Sequence, residues 1–152
     1  MRKAIYTVIG ATMIAAMTSC TIESSDNGKL DGFWHMEQVD TLATGGTQDL
    51  SDSLMFWCID TKLIGVRGSG RSHNLGYYVR FTQTADSVTV HSPHRNGWHQ
   101  DRVDGGDTPL DDAKEITPYG INNLREPFYK DRLTSSRMVL RSKTLRLHFR
   151  KF

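Results

Sequence analysis

In TLRLHFRKF, residues 144–152, Leu145, Leu147 and Phe149 alternate with Arg146, His148 and Arg150. Successive side chains of a β-strand point to opposite faces, so this stretch has one apolar face and one wet face. The same period of two recurs upstream, where Tyr77, Val79 and Phe81 alternate with Tyr78, Arg80 and Thr82, and Val88 and Val90 alternate with Thr89 and His91. The connections around 84–86 and 142–144 are of two or three residues, which fit antiparallel hairpins and are too short for crossover helices. Strands are predicted over 32–40, 53–60, 62–68, 76–83, 86–92, 127–133, 136–142 and 144–151. Eight single-faced strands in sequence order predict an all-β fold, an eight-stranded antiparallel up-and-down barrel whose closure removes unpaired edges. An open β-sandwich of two sheets satisfies the same alternation.

Two stretches depart from this pattern. In SLMFWCID, residues 53–60, Leu54 to Ile59 are all nonpolar, which predicts a strand covered on both faces or a barrel capped by another element. The cap is expected in the one long connection, residues 93–126. There Leu110, Ala113 and Ile116 recur at helical spacing before Pro118, predicting a short helix N-capped by Asp107 or Thr108 with Pro109 at its first position.

The N-terminal stretch has the layout of an export signal: Arg2 and Lys3, an apolar run over residues 4–17, then the small residues Thr18 and Ser19. The run is 14 residues long, short of the ~20 that span a bilayer core. MTSC, residues 17–20, resembles the lipobox of bacterial lipoproteins, which implies a diacylglycerol on the Cys20 thiol and cleavage before it. On that reading residues 1–19 are a signal peptide, residues 20–30 a polar tether and residues 31–152 the folded domain. The protein is then expected in the bacterial cell envelope, anchored through its lipid to the outer membrane on the periplasmic or the exposed face.

Removing 19 of 152 residues leaves 133, the size of one domain. Lys and Arg fall from 19 to 17 with Arg2 and Lys3 gone, against 17 Asp and Glu, so the mature body is neutral and nothing in its charge recommends nucleic acid as a partner. With Cys20 acylated, Cys58 has no disulfide partner and is expected to be a small buried apolar residue.

DGFWHM, residues 31–36, carries Gly32 and Trp34 as Gly-x-Trp at the head of the first strand and resembles the opening motif of lipocalins. ITPYGI and the tail KDRLTSSRMVLRSKTLRLHFRKF resemble the small lipocalin-like lipoproteins of Bacteroides-type bacteria, and the likeness covers residues 31–152. The Thr-Asp-Tyr-type turn of lipocalins is absent. The resemblance implies that Trp34 packs at the closed end of the barrel and that a basic residue late in the last strand, Arg150 or Arg146, lies across it.

No catalytic motif is legible: there is no Gly-x-Ser-x-Gly, no His-Glu-x-x-His and no carboxylate pair that a strand would force together, so no enzyme is expected. His91, His94, His99 and Asp101 match no zinc spacing, and Asp104, Asp107, Asp111 and Asp112 lack the rhythm of a calcium loop, so no metal or other cofactor is expected. RGSGR, residues 67–71, reads as a hairpin turn. The expected function is to bind a small apolar or amphipathic ligand inside the barrel, at Trp57, Tyr77, Phe81, Leu147 and Phe149, with Phe128 beside them and entry between residues 68–75 and 93–106, near Trp98. Those aromatic residues equally suit a filled core, in which case the domain is an envelope protein interaction or structural module with no ligand.

Overall fold

A computed structural model describes residues 25–68, 75–97 and 106–152. Among them ten strands follow one another: β1 Gly32–Thr41, β2 Gly46–Asp49, β3 Met55–Asp60, β4 Leu63–Gly68, β5 Tyr77–Gln83, β6 Ser87–Arg95, β7 Thr108–Pro109, β8 Glu126–Leu133, β9 Arg137–Arg141 and β10 Leu145–Lys151. Every pairing is antiparallel. Eight of the strands form a ring in the order β1-β3-β4-β5-β6-β8-β9-β10, and β10 returns to β1 with Trp34 opposite Lys151 and Thr41 opposite Leu145. That last ladder decides for the closed barrel over the open sandwich. Residues 1–24, with the expected signal peptide, Cys20 and the first part of the expected tether, lie outside the described residues.

Parity along each strand chooses the filling. Trp57, Ile59, Ile64, Val66, Tyr77, Val79, Val88, Val90, Phe128, Met138, Leu140, Leu147 and Phe149 all point inward and are buried, each worth ~1.5–3 kcal/mol on removal from water. β2 and β7 are two additions that alternation did not announce. β2 has no apolar face, and pairs with the outer half of β1 after a tight turn. β6 continues past Pro93 after a kink at Ser92, whose φ is 50°, and its end pairs with β7.

The expected α-helix in the long connection is replaced by a 3-10 turn, Thr117–Tyr119. Thr108 and Pro109, expected to start the helix, are extended and paired with Arg95 and His94. The chain then folds through turns in which Ala113 O accepts from both Ile116 N and Thr117 N. Ala113 and Ile116 are still buried and Leu110 packs against the core, so the apolar spacing marked the inward side chains without requiring a helix.

Both ends of the barrel are occupied. At one, Leu30 is fully buried at the end of the 3-10 turn Gly28–Leu30, and Trp34 Nε1–H donates to its carbonyl at 2.8 Å. At the other, Tyr119 and its neighbours Ile116 and Ile121 are at most 1% exposed. There the Tyr119 carbonyl accepts from Trp57 Nε1 at 3.0 Å, and Gly120 fits so closely over Leu147 that a Cβ would approach its Cδ2 to 2.6 Å.

Candidate binding groove on the outside of the barrel

The five residues at which a ligand was expected are core. Trp57 and Leu147 are fully buried, and Tyr77, Phe81 and Phe149 are 2%, 7% and 1% exposed. Trp57 packs on Phe149 and Phe128 with ring centroids 5.1 and 5.9 Å apart, and Tyr77 on Tyr119 at 6.1 Å. Tyr119 stands across the end where entry was expected; residues 69–74 and 98–105 of that rim, Trp98 among them, lie outside the described residues. The aromatic supply of this sequence therefore fills the barrel.

Trp34 is fully buried beside Leu30, and the cation across it is Lys151, with Nζ 4.8 Å from the ring centroid. Arg150 and Arg146 are excluded by parity. They share the outer face of β10, where Arg150 Nε donates to Glu37 at 2.6 Å and lies over Phe152 at 5.7 Å, and Arg146 pairs with Asp131 at 3.3 Å. Gly32 makes the lysine's path. Its φ is 138°, and a Cβ there would stand 2.3 Å from Lys151 Cε.

The unbroken apolar run in SLMFWCID has a different consequence from the one expected. Met55, Trp57 and Ile59 face inward, so Leu54, Phe56 and Cys58 face outward, and no described segment covers them fully: Leu54 is 57% exposed and Cys58 is exposed, not buried. Across the ladder Cys58 stands opposite Gly65, and Gly65 opposite Tyr78. Gly65 leaves a gap in the outer face, since the nearest atoms to a Cβ built there belong to Cys58 at 3.9 Å. The gap is the floor of a groove of about 350 Å³.

Aromatic rings wall it. Phe33, opposite Cys58 on β1, stacks on Phe56 with centroids 4.7 Å apart and planes 11° from parallel. On the far side Tyr78 stacks on His94 at 5.1 Å, and its hydroxyl donates to Asp107 Oδ2 at 3.0 Å. Burial, with that hydrogen bond and the Asp107 charge behind it, pushes the phenol up to about 12, so the wall is a neutral ring at any physiological pH. Arg67 and Asn96 stand at one end of the groove and Asp60 and Thr61 at the other. Among the described residues Arg67 forms no ion pair, and its guanidinium borders that end of the groove.

Elsewhere, His94 Nδ1 lies 2.9 Å from Ser92 O and His91 Nδ1 3.0 Å from Ser92 Oγ, while Asp107 also accepts from Gly97 N and Asp112 pairs with Lys114. His99, Asp101, Asp104 and Arg71 lie outside the described residues. No three metal-ligating side chains converge among the described residues. One buried polar residue carried no sequence signal: His35 is 4% exposed beneath Phe56, with Nε2 2.5 Å from Ser53 O and no partner at Nδ1 among the described residues.

Comparison with known proteins accords with this architecture. Residues 15–152 match the family described as the lipocalin-like domain. The chain belongs to that family. Among solved structures it is similar to a lipocalin-like protein from Bacteroides uniformis ATCC 8492, with a TM-score of 0.59 and 16% identity over 82% of this chain and 100% of that one. It is also similar to an uncharacterized protein from Bacteroides eggerthii DSM 20697, with a TM-score of 0.55 and 14% identity over 80% and 98%. At these identities the likeness is one of fold. No curated protein matches the sequence. In this lipocalin-like chain the interior is spent on side chains, and the aromatic-walled groove lies outside the barrel.

Proposed function

We propose that this lipocalin-like protein is lipid-anchored in the bacterial cell envelope and binds a small amphipathic molecule in the groove between Phe56 and Tyr78, on the outside of the barrel. It acts as a binding protein and not as an enzyme. The observation that carries the reading is the missing side chain at Gly65: it opens a 350 Å³ hollow between aromatic walls and beside the Arg67 guanidinium, where the barrel interior is already filled. A volume of this size is at the lower bound of small-molecule sites, so the ligand has a short apolar body and an acidic head directed to Arg67. The export and lipobox features of residues 1–20 support the anchoring and the address.

Calorimetric titration with a medium-chain carboxylate tests the groove. Saturable binding is expected, lost in Gly65→Leu, whose Cβ meets nothing closer than Cys58 at 3.9 Å and whose branch fills the groove, leaving the melting temperature within a few degrees of wild type. Arg67→Gln should weaken binding about fivefold, equivalent to ~1 kcal/mol for a charge-assisted contact in a half-open site. Wild-type and Gly65→Leu proteins that bind alike, or no binding at millimolar ligand, would remove this reading. The filled barrel would then stand as an envelope interaction module.

A further inference from the structure

We propose that Phe33, Phe56 and Phe152 form a docking face that lays the barrel against the bilayer to which Cys20 anchors it; the inference rests on the anchoring proposed above. The three rings touch one another on the outside of the barrel. Phe33 and Phe56 are stacked, and Phe152 meets both edge-on with centroids 6.1 and 5.8 Å away. Phe152 is 75% exposed and Phe33 40%, with Leu54 close by in sequence and also exposed. A cluster of large apolar side chains left in water on a small domain marks a contact surface.

The chain's point of exit says which surface. Asn27 Nδ2 donates to Thr61 O and to Asp31 Oδ1, both at 2.7 Å, and Leu30 is buried just beyond, so the N-terminal side of β1 is pinned to the β3–β4 turn. Phe33 follows Leu30 by three residues, and the Phe152 amide donates to Phe33 O at 2.8 Å. Exit point and aromatic cluster therefore share one end of the barrel. From Cys20 to Ser25 the chain reaches no farther than ~18 Å even fully extended. A lipidated Cys20 holds that end within this distance of the bilayer at all times, so a weak apolar contact is made at high effective concentration.

Rings half-buried at the headgroup level are the residues that settle at such a boundary. Lys29, Lys62, Arg137, Arg150 and Lys151 on this end are nearly balanced by Asp26, Asp31, Glu37 and Asp60, so the attraction comes from the rings and not from charge. Docked this way, the groove walled by Phe33 and Phe56 opens beside the acyl boundary from which an amphipath can be taken.

The test uses protein purified with its lipid and placed in phosphatidylcholine vesicles carrying a shallow nitroxide-labelled phospholipid. Cys58 is the second of two cysteines and is exposed next to Phe33, so with Cys20 acylated it takes a thiol-reactive fluorophore alone. Flotation of the protein with the vesicles reports anchoring, and quenching of the Cys58 probe reports docking. We expect quenching at least twofold stronger in wild type than in Phe152→Ser or Phe33→Ser/Phe152→Ser proteins that float equally, and unchanged in high salt. Equal and weak quenching in all three, with flotation intact, overturns the docking face while anchoring stands; loss of flotation removes both. A detergent-solubilised dimer that dissociates on Phe152→Ser would assign the rings to a second copy and likewise overturn the proposal.

Discussion

Lys151 crosses Trp34 through the space that Gly32 leaves empty, its Nζ 4.8 Å from the indole centroid and donating to Lys29 O at 3.3 Å. Three residues thus close one end of the barrel as a unit. Trp34→Ala removes a fully buried ring and should cost ~3–5 kcal/mol in urea unfolding. Gly32→Ala forces a Cβ into the lysine stem at a positive φ and should cost ~1–3 kcal/mol. A loss under ~0.5 kcal/mol in either would place the closure elsewhere, because that is the range of ordinary surface changes.

The filled interior makes a separate prediction about Phe149. Its ring lies 5.1 Å from Trp57 and is 1% exposed, so Phe149→Ala should destabilise by ~3–5 kcal/mol while leaving carboxylate affinity in the outer groove within twofold of wild type. Stability is read from urea midpoints and affinity from calorimetry below the melting range. Abolished binding with a small change in stability would return the ligand to the barrel interior.

The barrel was legible because period-two alternation is a local property: Leu145, Leu147 and Phe149 must share a face however the strand pairs. What parity determines also held, as in the inward set from Trp57 to Phe149. Contacts set by the far end of a ladder were not legible. Whether Arg150 or Lys151 meets Trp34 depends on the register between β1 and β10, where Trp34 stands opposite Lys151, and on the turn of β10 that sends its odd-numbered residues inward. Leu110, Ala113 and Ile116 have helical spacing, yet pairing of Thr108 and Pro109 with β6 holds the chain extended where the helix would begin. The groove did leave two signals: an apolar run too long for one face at SLMFWCID, and a glycine inside a strand at Gly65, a position that commonly marks close approach or a gap.

Outer-face carboxylates give the fold a pH dependence with a defined sign. Hydrogen bonds from Arg150 and Arg137 hold Glu37 below the ordinary value of 4.5, against burial acting the other way. At Asp40 burial pulls the carboxyl up, but hydrogen bonds from His148, Gln38 and Thr47 outweigh it, and Arg141 chiefly lowers Asp131, both from 3.8. Folded values below unfolded ones mean stabilisation that is complete above 4.5 and is lost as pH falls through the lower folded values. Arg137 and Arg150 are 48% and 44% exposed, so each pair is worth only ~0.2–1 kcal/mol. Urea midpoints should fall between pH 6 and pH 3, and Glu37→Gln should flatten part of that slope. An unchanged slope would dissociate Glu37 from the effect.

The two cysteines have different fates on this reading, and cells supply the assay. Cys20 follows small residues at the end of an apolar run, the position at which a lipoprotein thiol is acylated, whereas Cys58 opens outward from the middle of β3 into the groove. Labelled palmitate supplied during growth in the host should enter wild type and Cys58→Ala equally and should be absent from Cys20→Ala, which should also leave the membrane fraction. Label retained in Cys20→Ala but lost in Cys58→Ala would mean that the exposed groove thiol is the modified one, and the tether geometry that places the Phe33 end at the bilayer would no longer hold.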